Sequence, residues 1–143
     1  ASRGLGDVYK RQDYFLYKFN ISKKDQRRIK SIDNFFKKKI DSKSFTKNNM
    51  DKIFYYQGKE VTLDILSHKI IKSKKADNSL KELIKYYEKK ITPIMPVNAD
   101  FLMKKYKIPE GKQLGNKLRN IEEKWVKNNF KISDEDVDNI VNS

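Results

Sequence analysis

The sequence holds no cysteine and only one histidine, His68. A disulfide framework, a thiolate or multi-histidine metal site and a Cys/His nucleophile pair are therefore excluded within this chain. Five glycines and three prolines leave few places for hairpin turns, and no stretch alternates apolar and polar residues long enough to form a strand. No hydrophobic run approaches the length of a membrane-spanning helix. No segment has the charged start, apolar centre and small-residue end of a signal peptide. These absences point to a cytoplasmic chain without membrane association. There is also no Walker-type loop, and no catalytic residue and no metal ligand is assigned.

What remains is rich in charge. Of 143 residues, 37% are apolar and 36% charged, enough for the modest core of one small domain with much exposed helix. Lysine and arginine number 33 against 19 aspartates and glutamates, a formal net charge of +14. Such an excess favours a polyanionic partner through phosphate contacts and counterion release. A second explanation stands beside it. Lysine supplies 28 of the 33 basic residues, and isoleucine and asparagine are also abundant, as an AT-rich genome would produce.

The tract 2–12 is set aside before any fold reasoning. It reads as one translated frame of a common transposase sequencing adapter, residues 7–12 corresponding to GAT GTG TAT AAG AGA CAG. The natural protein is accordingly expected to begin near Asp13 and to have lost its N-terminal part. Tyr14, Phe15, Leu16, Tyr17 and Phe19 then form an apolar cluster that reads as the end of an element.

Helical periodicity carries the rest. Ser22 is a candidate N-cap with Asp25 three residues on, followed by a stripe of Ile29, Ile32, Phe36 and Ile40. Lys23, Lys24, Arg27, Arg28, Lys30, Lys37, Lys38 and Lys39 fill the remaining circumference, either as a solvated face or as an RNA-facing one. Arg27 and Arg28 stand out, since a guanidinium grips phosphate with two parallel bonds where lysine offers a point charge. Met50, Ile53 and Phe54 before Gly58 predict a short helix with a glycine stop. A further helix from about Glu60 to Lys72 presents Leu63, Leu66 and Ile70, with Ile65 nearby and His68 off the stripe as a boundary residue. After the polar connection 72–78, the residues Leu80, Leu83, Ile84, Tyr87 and Ile91 line another helix, ended by Thr92-Pro93.

Residues 93–130 read as two helices on a short turn. Asn98 caps a helix bearing Phe101 and Leu102, and Ile108-Pro109-Glu110-Gly111 breaks the pattern. Leu114, Leu118, Ile121 and Trp125 then form one stripe. Gly111 and Gly115 flank the first turn of that stripe, where a missing side chain would let a backbone or a phosphate approach free amides. Lys112, Lys117 and Arg119 lie off the stripe and are candidate RNA contacts. Ser133 caps a terminal helix whose first turn is acidic, with Val137, Ile140 and Val141 on its apolar side; Asp134, Glu135 and Asp136 there complement the helix dipole rather than form a metal site.

The order Pro93-x-x-Pro96, Ala99-Asp100-Phe101-Leu102-Met103, Ile108-Pro109-x-Gly111-x-x-Leu114-Gly115-x-x-Leu118, Glu122-x-x-Trp125 and Phe130 resembles the C-terminal region of bacterial tRNA nucleotidyltransferases of the CCA-adding and poly(A) polymerase family. The likeness is clearest over 93–130 and continues in the expected order from 22 to 90. It implies an all-helical body and tail that hold tRNA. It also implies a catalytic head domain, N-terminal to this segment on the same polypeptide, where magnesium and CTP or ATP are used. The head's Gly-Ser loop and Asp-x-Asp strand pair have no counterpart here, so no catalytic residue is carried over and no cofactor is expected in this chain.

The expected fold is all-α, a bundle of five to seven helices: 1–12 a non-native tail, 13–92 a helical body, 93–143 a tail hairpin and terminal helix. Three functions are compatible. The first is an inactive tRNA-binding fragment of a nucleotidyltransferase, the parent more readily CCA-adding than poly(A)-adding. The second is a free-standing basic helical module for RNA or protein, and the third a structural helical domain whose lysines reflect genome composition.

Overall fold

The computed structural model describes residues 21–73 and 77–143. The adapter-like tract, the cluster from Tyr14 to Phe19, and Lys74, Lys75 and Ala76 of the polar connection lie outside the described residues. Among the described residues there are seven helices and no strand, an all-α fold. The chain divides into two compact units between Lys90 and Ile91.

The first unit contains α1 (Lys23–Lys37), α2 (Lys47–Gln57), α3 (Lys59–Lys72) and α4 (Asn78–Lys89). Each start is fixed locally. Ser22 accepts from the Asp25 amide, Thr46 from Asn49, and Asp77 from Ser79 and Leu80, satisfying amides that have no partner inside their helix. Gly58 both ends α2 and precedes α3. Its φ of 96° lies where side chains are strained, so the chain turns there without a linker. Helix α3 is the hub, packed on α1, α2 and α4.

That position explains a departure from the expected stripe of α3. A single face through Leu63, Leu66 and Ile70 would serve one neighbour; with three, Val61, Thr62, Ile65 and Leu66 are the buried residues, and Leu63 and Ile70 are partly covered. Thr62 hydroxyl donates to the Gly58 carbonyl at 2.9 Å, so its burial leaves no polar atom unsatisfied. The rest of this core is Met50, Phe54, Leu80 and Tyr87. Ile91 belongs neither to α4 nor to the core, because the helix stops at Lys89 and Ile91 is exposed.

Helix α1 is strapped to this core rather than embedded in it, since none of its residues is buried. Ile32, Phe35 and Phe36 reach the core, while Ile29 is exposed and Ile40 lies beyond the helix end. Phe35, Phe36 and Phe45 form a ring cluster, and His68 lies against Phe36 with the ring centroids 4.6 Å apart and the rings tilted.

The second unit holds α5 (Ala99–Tyr106), α6 (Lys112–Lys127) and α7 (Asp134–Asn142). Asn98 accepts from the Phe101 amide at 2.8 Å. Lys107 closes α5 in the left-handed conformation, and residues 108–111 turn the chain into α6. Helix α6 packs against both α5 and α7. Val97, Leu102, Leu114, Ile121 and Val137 form the core, with Leu118, Ile140 and Val141 partly buried on it. Ser133 and Asp136 make a reciprocal capping box. Trp125 is buried, with Phe130 edge-on at 5.0 Å.

Candidate nucleic-acid interface

Helix α1 sets out its cations by spacing. Lys23, Arg27 and Lys30, four and three residues apart, fall within an arc of roughly 60° at the α-helical turn. Of the two acids of α1, Asp33 lies roughly a quarter-turn from that arc and Asp25 nearly opposite it. Among the described residues Lys23, Arg27 and Lys30 are exposed and without a hydrogen bond or ion pair. An apolar opposite face holds this one toward solvent.

Arg28, adjacent in sequence, is spoken for. Its Nε and Nη2 both donate to Asp64 Oδ2, at 2.9 and 2.7 Å. Its Nη1 stands 3.6 Å from Asp25 and 3.7 Å from Glu60. The hydrogen bond and charge of Asp64 raise its pKa further. Arg28 thus clamps α1 to α3, and of the arginine pair Arg27 is the one available to a phosphate.

Between α1 and the corner where α2 meets α3 lies a groove of about 550 Å³. Lys24, Arg27, Arg28 and Lys59 line it with Glu60 and Tyr56. Tyr56 is 55% exposed and braced edge-on by Tyr55 at 5.1 Å. A second groove of about 470 Å³ continues along α1, sharing Ser31 and Gln57 with the first. Its polar lining is Asn34, Asn49, Lys38 and Lys39, with no carboxylate.

The tail candidates fare differently from one another. Lys112 and Arg119 are exposed and unpaired among the described residues. Lys117 is not a free surface cation: its Nζ donates to the carbonyls of Ile140 and Ser143, at 3.2 and 2.5 Å, tying α6 to the end of α7. Leu114 and Trp125 are buried and Leu118 is partly so. Pro109 and Gly111 occupy the turn, and Gly111 has φ 148° and ψ −165°, a region open to glycine alone. Among the described residues neither Gly111 nor Gly115 is approached by another group, since a Cβ at either would meet nothing within 4 Å.

The division into two units also locates the charge. Residues 21–90 carry 20 lysines and arginines against nine acids, whereas residues 91–143 carry nine against eight. The tail unit is close to neutral. Its acids include Asp138, which receives the Tyr106 hydroxyl and stands 3.7 Å from Lys105.

Sequence reasoning missed Tyr56 and Glu60 as parts of a site. Tyr56 follows Tyr55 at the end of α2, off any apolar stripe, and an unburied tyrosine beside Gln57-Gly58 was the available signal. Among the described residues no group of three or more acids and histidines is placed to hold a metal ion, and no helix is long and apolar enough to cross a membrane. Comparison with protein families, curated proteins and solved structures finds no match for this chain.

Proposed function

We propose that this chain binds tRNA as the C-terminal, RNA-holding part of a nucleotidyltransferase of the CCA-adding and poly(A) polymerase family, and performs no nucleotidyl transfer itself. The observation that carries RNA binding is the acid-free, unpaired cationic face of α1 in a unit where basic residues outnumber acids by more than two to one. Among the described residues Lys23, Arg27 and Lys30 project into solvent without partners, so their charge is available to phosphate. Parentage is supported by the tail motif. Pro109 and Gly111 form the turn, and Leu114, Leu118 and Trp125 supply packing, consistent with a segment selected as a helical hairpin.

The test is a titration with unmodified tRNA over a range of salt. With about four to six phosphate contacts, log affinity against log salt should fall with a slope of roughly −3 to −5. A flat response, or equal affinity for heparin, would identify the lysines as compositional. Magnesium, CTP and ATP should yield no extension of tRNA lacking its terminal adenosine; extension by protein free of host enzyme would overturn the reading.

A further inference from the structure

Helices α1 and α2 both pack on α3, and between them runs the second groove, of about 470 Å³, within the range of about 300 to 1,000 Å³ that small-ligand sites take. Spacing builds its walls. Asn49, Ile53 and Gln57, four residues apart along α2, line one; Ser31, Asn34 and Phe35 of α1 line the other, and Lys38 and Lys39 follow at the helix end. Phe35, Ile40 and Ile53 supply its apolar surface. Among the described residues the carboxamides of Asn34 and Gln57 are exposed and make no hydrogen bond, and Lys38 and Lys39 are exposed and unpaired. Asn49 differs, because its Nδ2 donates to the Ser44 carbonyl at 2.7 Å. Asn34 also extends the series Lys23, Arg27, Lys30 by four residues, so the cationic face of α1 leads into this groove.

We infer that the groove holds one unpaired adenine of a single-stranded RNA, its N7 edge read by one of the two free carboxamides, its N1 edge by the other, and its flanking phosphates met by Lys38 and Lys39. The inference rests on the RNA-binding reading and names its site. A carboxamide presents an acceptor beside a donor. Adenine sets its N6 amino group beside an acceptor on both edges, N7 on one and N1 on the other, so carboxamides on opposite walls match both; guanine offers two acceptors on its N7 edge and is matched on one side only. In an RNA duplex the N1 edge is paired and the N7 edge lies in a groove too deep and narrow for side chains, so the base must be unpaired. The lining holds no carboxylate to repel phosphate. An acidic peptide would engage the lysines and leave the carboxamides idle.

The experiment compares the parent protein with the double variants Asn34→Ala/Gln57→Ala and Lys38→Ala/Lys39→Ala, each checked for an unchanged melt. The ligands are a radiolabelled oligoadenylate of about ten nucleotides, its 7-deazaadenine analogue, which keeps the charge and the rings but lacks N7, and free AMP. The parent should bind oligoadenylate about tenfold more tightly than the analogue, within the discrimination that one bidentate contact supports, and AMP more weakly than either. The carboxamide variant should lose the preference, whereas the lysine variant should weaken both oligomers alike and retain it. Equal binding of the two oligomers by the parent, a comparison that needs no variant to fold, would overturn the site, as would a preference that survives in the carboxamide variant. AMP bound as tightly as oligoadenylate would make the groove a free-nucleotide pocket and overturn its role in holding RNA. If any of these occurs while the parent still binds tRNA with a steep salt dependence, the groove is wrong and the RNA-binding reading stands. A parent that binds neither tRNA nor oligoadenylate removes both.

Discussion

At the scale of single residues, the most constrained polar group is the hydroxyl of Tyr87. It lies 2.7 Å from Asp51 and 3.2 Å from the Lys47 carbonyl, and Lys90 reaches the same carboxylate at 2.9 Å. Burial first, then the Asp51 hydrogen bond and charge, push the Tyr87 phenol well above its ordinary value of 10.0. For Lys90, burial acts downward, but hydrogen bonds to Tyr86 and Asp51 outweigh it and the pKa is raised. Both groups therefore hold protons in the folded state that the unfolded state has begun to lose. The unfolded chain binds fewer protons above about pH 10, so stability is fully present below that value and falls as pH rises past it. Denaturant midpoints measured from pH 7 to 11 should show this decline, and Tyr87→Phe should reduce its slope. The same variant should cost about 1.5 to 3 kcal/mol at pH 7, the range for a hydrogen bond to a charged partner; an unchanged midpoint would show the hydroxyl idle. No sequence pattern announces such a network, because Tyr87 and Asp51 are 36 positions apart. Distance in sequence also hid the difference between Arg27 and Arg28, which depends on Asp64, and the engagement of Lys117 by the end of α7.

Among the elements, α6 is where sequence periodicity was most legible and where its glycines were least so. The spacing of Leu114, Leu118, Ile121 and Trp125 marked residues that are buried or partly so, although Val126, also buried, lay outside the expected stripe. Trp125, 3% exposed, should cost about 3 to 5 kcal/mol when truncated to alanine, measured by denaturant unfolding. The two motif glycines should separate. Gly111→Ala forces a side chain into a backbone conformation that costs about 1 to 3 kcal/mol. Gly115→Ala adds a methyl to open space inside a helix and should stabilise by about 0.5 to 1 kcal/mol. If both destabilise alike, the proposed close approach to Gly115 deserves to be revived. The start of α7 gives a further check: Ser133→Ala removes one half of the capping box and should cost about 1 kcal/mol. Elsewhere the periodicity was partial. α1 shows Ile32 and Phe36 of its expected stripe on the core, and α3 has its burial spread by three neighbours, which a one-dimensional pattern has no means of encoding.

Over the whole molecule, the charge and the recognisable motif lie in different units. The motif of 93–130 drew attention to Lys112, Lys117 and Arg119, yet the excess of cations is carried by residues 21–90. Composition gave the net charge at once and its location only after the units were known. Removing three charges from the first unit, through Arg27→Ala, Lys30→Ala and Lys38→Ala together, should reduce the salt slope of tRNA binding by about 2 to 3. Removing Lys112, Arg119 and Lys124 should change it by less than one. The reverse ordering in the same titrations would return the interface to the tail. The burial of Trp125 has one more consequence. It is the chain's only tryptophan and it belongs to the second unit, whereas helices that contribute to far-ultraviolet ellipticity are found in both. Tryptophan emission is therefore an intrinsic optical probe of one unit, and any gap between its transition and that of the ellipticity measures directly how far the two units melt as one.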